Sequence, residues 1–83
     1  MLLSTKGRYA VMAMVDLAGQ ASGQPVTLSA IAERQEIPLA YLEQIFAKLK
    51  KAELVASVRG PGGGYKLARA LEDITIAEIV MAS

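Results

Sequence analysis

Apolar residues recur at three- and four-residue intervals through three successive segments of the chain, and then the period changes to two. Ala10, Ala13, Met14, Leu17, Ala18 and Ala21 form one continuous stripe, the mark of an amphipathic helix. Ser4 or Thr5 is placed to cap it, because a hydroxyl there accepts from first-turn N–H groups that have no partner inside the helix. Ser22-Gly23-Gln24-Pro25 ends it. The alanines and methionines make the stripe a close, adaptable packing surface rather than a cofactor box. A second helix of about two turns starts at a Thr27 cap, with Leu28, Ile31 and Ala32 inward and Glu33 and Arg34 outward. Gln35-Glu36-Ile37-Pro38 follows, and Pro38 suits the first position of a third helix, where its missing N–H is not needed.

In that third helix Leu39, Leu42, Ile45, Phe46 and Leu49 point inward, and Ala40, Glu43, Gln44, Ala47, Lys48 and Lys51 point outward. Two helices joined by so short a turn, the second with a polar face that grows basic toward its end, make a helix-turn-helix pattern over about 28–51. A plain helical hairpin has the same inner stripe, so periodicity alone leaves both open.

After Ala52-Glu53-Leu54 the alternation begins. Leu54, Ala56 and Val58 alternate with Val55, Ser57 and Arg59, and Tyr65 and Leu67 continue on a return strand. Gly60-Pro61-Gly62-Gly63-Gly64 joins the two runs with glycines that allow positive φ and close backbone approach, while Pro61 stiffens the loop. A hairpin over about 55–68 with Arg59 at its lip has the shape of a wing that grips DNA. The expected fold is mainly α with a small β-hairpin, a winged helix-turn-helix, as one domain over 1–83. A fourth helix should start at Thr75 or Ile76, since Thr75 and Glu78 have capping-box spacing and Ile74 and Ile79 that of a hydrophobic staple. Only about two turns separate that start from Ser83, so a longer parent chain is expected.

Composition narrows the function. Apolar residues are 53% of the chain and charged ones 20%, rich for a small domain, which points to apolar surface covered by a partner, first of all a second copy. No apolar run approaches a membrane span and the opening Met1-Leu2-Leu3 is too short for a signal peptide core, so a cytoplasmic protein without membrane contact is expected. The chain has no cysteine and no histidine, which removes disulfides, the commonest metal ligands and the commonest general base. The net charge is only +1, but residues 44–70 hold Lys48, Lys50, Lys51, Arg59, Lys66 and Arg69 against Glu53 alone, while 71–83 are acidic. Solvated helix faces would produce similar runs; it is their placement on the third helix and the wing that points to nucleic acid.

The glycine loop is not a nucleotide site: Gly60 and Gly62 would need a third glycine where Tyr65 stands, and no Gly-Lys-Ser/Thr follows. No serine has a histidine to activate it, and no enzymatic activity is expected. Duplex DNA fits better. On the third helix Gln44 can pair with an adenine edge and Glu43 can accept from a cytosine amino group in the major groove. Arg59 suits a minor groove narrowed by A·T-rich sequence, and beside Gly60-Pro61-Gly62-Gly63-Gly64 the alternative, an arginine in a surface salt bridge, is the weaker reading of that residue. Lys6, Arg8, Lys48 and Lys51 would neutralise phosphates. A winged helix that packs its third helix on a protein partner is the alternative; its binding would not fall steeply with salt.

Thr5-Lys6-Gly7-Arg8-Tyr9-Ala10, Ile31-Ala32-Glu33-Arg34-Gln35, Tyr41-Leu42-Glu43-Gln44 and Val58-Arg59-Gly60-Pro61-Gly62-Gly63-Gly64-Tyr65 together resemble the Rrf2 family of bacterial winged helix-turn-helix transcription regulators. The likeness is greatest to its iron-sulfur cluster regulator. It implies a homodimer on a pseudo-palindromic promoter, with RNA polymerase a further partner. Ala40, Tyr41, Glu43, Gln44, Lys48 and Lys51 would then form the recognition face, and Arg59, Gly60, Pro61 and Gly62 the wing contact. Thr5, Lys6 and Arg8 would meet phosphates. In the iron-sulfur regulator the position of Glu43 is associated with discrimination between two promoter classes. Pro38 and Ala40 stand where relatives often carry serines, and Leu2 where a basic residue is frequent. Glu36 stands where glycine is common, so a strained backbone or a different turn is expected there. No cofactor is expected in this chain; an iron-sulfur cluster in a longer parent would need cysteines beyond Ser83.

Overall fold

The Ser4 hydroxyl accepts from the Gly7 N–H at 2.9 Å and starts α1, Thr5–Ala18, in a computed structural model that describes residues 4–20 and 24–83. The helix ends at Ala18, earlier than its apolar stripe implied, because Gly19 turns its N–H onto the Val15 and Asp16 carbonyls and Gln20 Nε2 donates to the Asp16 carbonyl at 3.0 Å. The last stripe residue, Ala21, and the expected stop at Ser22 and Gly23 lie outside the described residues, as does Leu2.

Thr27 caps α2, Leu28–Gln35, by accepting from the Ala30 N–H at 3.2 Å. Helix α3 runs over Leu39–Lys51, one residue later than expected. Pro38 is its N-cap rather than its first helical residue: with ψ 132° the proline is extended, and its carbonyl accepts from the Tyr41 and Leu42 N–H groups. Leu39 is 41% exposed instead of inward, since it lies in the turn before the packing stripe, which begins at Leu42.

Both helices of the pair end in left-handed residues that are not glycine. Glu36 (φ 55°) follows α2, with the Ile37 N–H reaching back to the Ala32 carbonyl. Glu53 (φ 63°) follows α3, with Glu53 and Leu54 N–H groups bonded to the Lys50 and Leu49 carbonyls in a Schellman arrangement. Of the two expectations for Glu36, the strained backbone is the one observed. Because a Cβ is disfavoured at such φ, Glu36→Gly and Glu53→Gly are each expected to raise stability by about 1 kcal/mol. Urea midpoints that rise at unchanged m-value would check this; falling midpoints would show that the carboxylates matter more than the strain.

Strands β1, Val55–Val58, and β2, Gly64–Leu67, pair antiparallel with Val55 opposite Leu67 and Ser57 opposite Tyr65. The Gly63 N–H donates to the Gly60 carbonyl at 2.8 Å across Pro61 and Gly62, and Gly62 has φ 75°, the combination a type II turn requires. Strict alternation fails at the base of β1, where Leu54 and Val55 are both buried. Leu54 belongs to the α3 cap and folds back toward Leu49, so the sheet pattern starts only at Val55. Periodicity did not reveal a third partner. Val26 exchanges both backbone bonds with Tyr65, at 2.8 and 2.7 Å, tying β2 to the link between α1 and α2. Gly64 permits that approach, since a Cβ there would collide with the Val26 carbonyl group and lie 2.9 Å from the Thr27 nitrogen.

A short 3₁₀ turn, Leu71–Asp73, leads to α4, Ile76–Ala82. Its capping box is complete: Thr75 Oγ1 accepts from the Glu78 N–H at 3.0 Å, and Glu78 accepts from the Thr75 N–H at 3.0 Å. Ile74 and Ile79 are both buried. The core is a single cluster with Ala10, Ala13, Met14 and Leu17 of α1 facing Ile31 of α2 and Leu42, Ile45, Phe46 and Leu49 of α3. The result is a winged helix-turn-helix, mainly α with one small hairpin.

Candidate nucleic-acid interface

Burying Leu42, Ile45, Phe46 and Leu49 leaves the opposite side of α3 in solvent, where Ala40, Glu43, Gln44, Ala47, Lys48 and Lys51 are all exposed. The basic end has a local cause as well, since Lys48, Lys50 and Lys51 lie in the last turn, where the helix dipole favours cations. Lys48 Nζ also donates to the Ser83 carbonyl at 3.4 Å. Tyr41 differs from its neighbours. It is half-buried, its ring edge-on to Tyr9 of α1 with centroids 5.3 Å apart, so packing claims much of it. That contact also brings the start of α1, with exposed Thr5 and Arg8 and half-buried Lys6, beside the first turn of α3. Pro38 supplies no side-chain cap, which leaves the Leu39 and Ala40 N–H groups available to an anion.

The wing is held rather than loose. Phe46 in the middle of α3 meets Tyr65 on β2 with ring centroids 5.0 Å apart, and Tyr65 is bonded to Val26 on its other side. Arg59, Gly60, Pro61 and Gly62 are exposed at the tip, and an added Cβ at Gly60 or Gly62 would touch nothing in the chain, so the backbone there is open to a close partner. Among the described residues the ion pairs are Arg34–Asp16 and Arg69–Glu78, so Arg59, Lys51, Arg8 and Glu43 carry charges that no partner neutralises. The alternative for Arg59, a surface salt bridge, finds no carboxylate there among these residues.

The first of these pairs was not anticipated. Asp16 is a carboxylate within the apolar side of α1, and it meets Arg34 at 2.7 Å, so Arg34 does not simply face outward. The signal in the sequence was an acid between Val15 and Leu17, but nothing local names a partner eighteen residues away. The hydrogen bonds from Arg34 hold the Asp16 carboxyl below its ordinary pKa, against the opposing effect of burial, with Gln35 adding to the lowering. The ionised pair therefore contributes fully above the ordinary carboxylate pKa and is lost as pH falls through the depressed folded value. The Glu78 carboxyl is lowered likewise, chiefly by its hydrogen bond from Arg69 and then by the Thr75 N–H.

A groove of about 720 Å³, an open trough beside β1, is lined by Lys50, Glu53, Ser57 and Arg69 among others. It carries both signs of charge. No group of three or more His, Cys, Asp or Glu side chains able to hold a metal ion occurs among the described residues. No helix among them is long and apolar enough to cross a membrane.

Residues 3–83 match the Rrf2 family, described as an iron-dependent transcriptional regulator. The chain belongs to the Rrf2 family. This Rrf2 domain is 60% identical over 84 residues to the HTH-type transcriptional regulator IscR of Cereibacter sphaeroides, covering 99% of this chain and 54% of that protein. Among solved structures it is similar to T. potens IscR, with TM-score 0.92 and 51% identity, covering 99% of this chain and 60% of that one. It is also similar to CymR, the global cysteine regulator of B. subtilis, with TM-score 0.93 and 38% identity, covering 99% and 64%. The chain spans about half the length of the curated relatives it matches. The expectation of a regulator rather than an enzyme agrees with these names. An iron-sulfur cluster does not fit the residues of this Rrf2 domain, which has neither cysteine nor histidine to ligate it.

Proposed function

We propose that the chain is the DNA-reading part of a promoter-binding transcription regulator, with α3 in the major groove and the wing in the minor groove. The observation that carries this is the pairing of an exposed polar helix face with an unneutralised Arg59, on a hairpin that Phe46 and Tyr65 fix to that helix. Gln44 and Glu43 read bases, Arg59 and the open backbone of Gly60, Pro61 and Gly62 enter the minor groove, and Lys48 and Lys51 meet phosphates with Thr5, Lys6 and Arg8. Ala40 leaves room for the groove floor and Tyr41 supports the helix start. Exposed apolar residues such as Val15, Ile76 and Met81 are consistent with a homodimer in the whole cytoplasmic protein, and RNA polymerase is a partner of the promoter-bound form. Any iron-sulfur cluster belongs to parts of such a protein beyond Ser83.

Titrating duplex DNA at several salt concentrations tests this directly. Log affinity should fall linearly with log salt, by about 0.9 for each phosphate neutralised. Salt-insensitive binding to a protein target would favour a protein-docking winged helix instead. Within the DNA reading, Glu43→Ala should broaden the sites accepted, losing about 1–3 kcal/mol of discrimination at one base pair. Unchanged selectivity in a site-selection experiment removes that role from Glu43.

A further inference from the structure

Asp16 is the one charged residue that is buried among the described residues, its side chain only 3% exposed. Its carboxylate accepts from Arg34 Nε at 3.0 Å and Nη2 at 2.7 Å, and from Gln35 Nε2 at 2.8 Å; Gln20 Nε2 adds a longer contact at 3.4 Å. A two-pronged guanidinium bond plus an amide has direction as well as strength. Helix α2 has little else of that kind. Ile31 is its only buried side chain, and apolar contact is non-directional, so it resists rotation of a short helix about its own axis poorly. Arg34 and Gln35 are the last two residues of α2, and only Glu36, Ile37 and Pro38 separate them from α3. Whatever holds Arg34 and Gln35 therefore places the turn and the first residues of the recognition helix.

We propose that Asp16 is a positioning residue for DNA recognition: by gripping Arg34 and Gln35 it fixes the helix-turn-helix against α1 and sharpens the choice between operator and other duplexes. This rests on the DNA-binding reading above. A loosened turn would still present the same cations to phosphates, so non-specific binding survives. Base contacts do not, because a hydrogen bond tolerates displacements of only about half an ångström. Asp16→Asn removes the charge-assisted fork while keeping the shape, and the freed Arg34 is exposed enough to be solvated. Arg34→Lys keeps the charge but lacks the fork.

The experiment first recovers an operator by selecting random duplexes with the wild-type chain. Affinities for that operator and for a shuffled duplex are then measured at one salt concentration, well below each variant's melting temperature. In D16N the operator-to-shuffled ratio should fall about tenfold, the size of one weakened base contact, with shuffled affinity and its salt slope unchanged. R34K should shift the ratio in the same direction, and it decides alone if D16N does not fold. An unchanged ratio with only a lower melting temperature makes Asp16 a stabilising ion pair and overturns the proposal. If the wild type selects no sequence, the DNA reading itself fails, which is a different outcome.

Discussion

Phe46→Ala is expected to lower the stability of the chain by about 3–5 kcal/mol, because a fully buried aromatic leaves both lost apolar contact and an unfilled space. The side chain has no exposed surface, and its ring packs edge-on against Tyr65. A domain of this size has on the order of 5–10 kcal/mol in total, so much of that would be gone. The loss reaches function through position. Phe46 is the point where α3 holds β2, and β2 in turn is bonded to Val26, so one truncation loosens the recognition helix, the wing and the α1–α2 link together. Urea denaturation with far-UV circular dichroism measures the first effect, and a wild-type midpoint would show that the ring is not the joint described here. Conversely, DNA affinity that survives in a marginally folded variant would mean that the wing does not need this anchor.

Arg59→Ala should reduce DNA affinity by roughly 1–3 kcal/mol, or about fivefold to 150-fold, on sites whose flanks are A·T-rich, and by less on G·C-rich flanks. The reason is the charge at the hairpin tip, which nothing in the described chain neutralises, and the negative potential of a narrowed minor groove. Fold stability should stay within about 0.5 kcal/mol of wild type, since the side chain is exposed. Fluorescence anisotropy against paired duplexes that differ only in the flanks separates the cases. Equal loss on both reduces Arg59 to a phosphate contact; no loss on either would take the wing out of the interface.

Much of the arrangement was legible before any coordinates. The helices, the Thr27 cap, the Thr75–Glu78 capping box and the hairpin about Pro61 are local matters, decided by side-chain period and by hydrogen bonds over three or four residues. The outer face of α3 followed from the same period. Errors gathered at element ends. Pro38 and Leu39 shifted by one step because the choice between cap and first turn depends on backbone angles and on where the core begins. The early end of α1 at Gly19 had the same origin.

What composition and spacing established alone is a chain with no thiol or imidazole, three amphipathic helices, a stiff glycine-rich hairpin and a polar, basic-ended helix face. Only the tertiary structure joined Asp16 to Arg34, Val26 to Tyr65 and Phe46 to Tyr65. Each of those pairs spans residues far apart in the chain, and a contact of that kind leaves no periodic trace along it. The sequence determined which surfaces exist; the packing of distant residues decided how firmly the helix and the wing are held to each other.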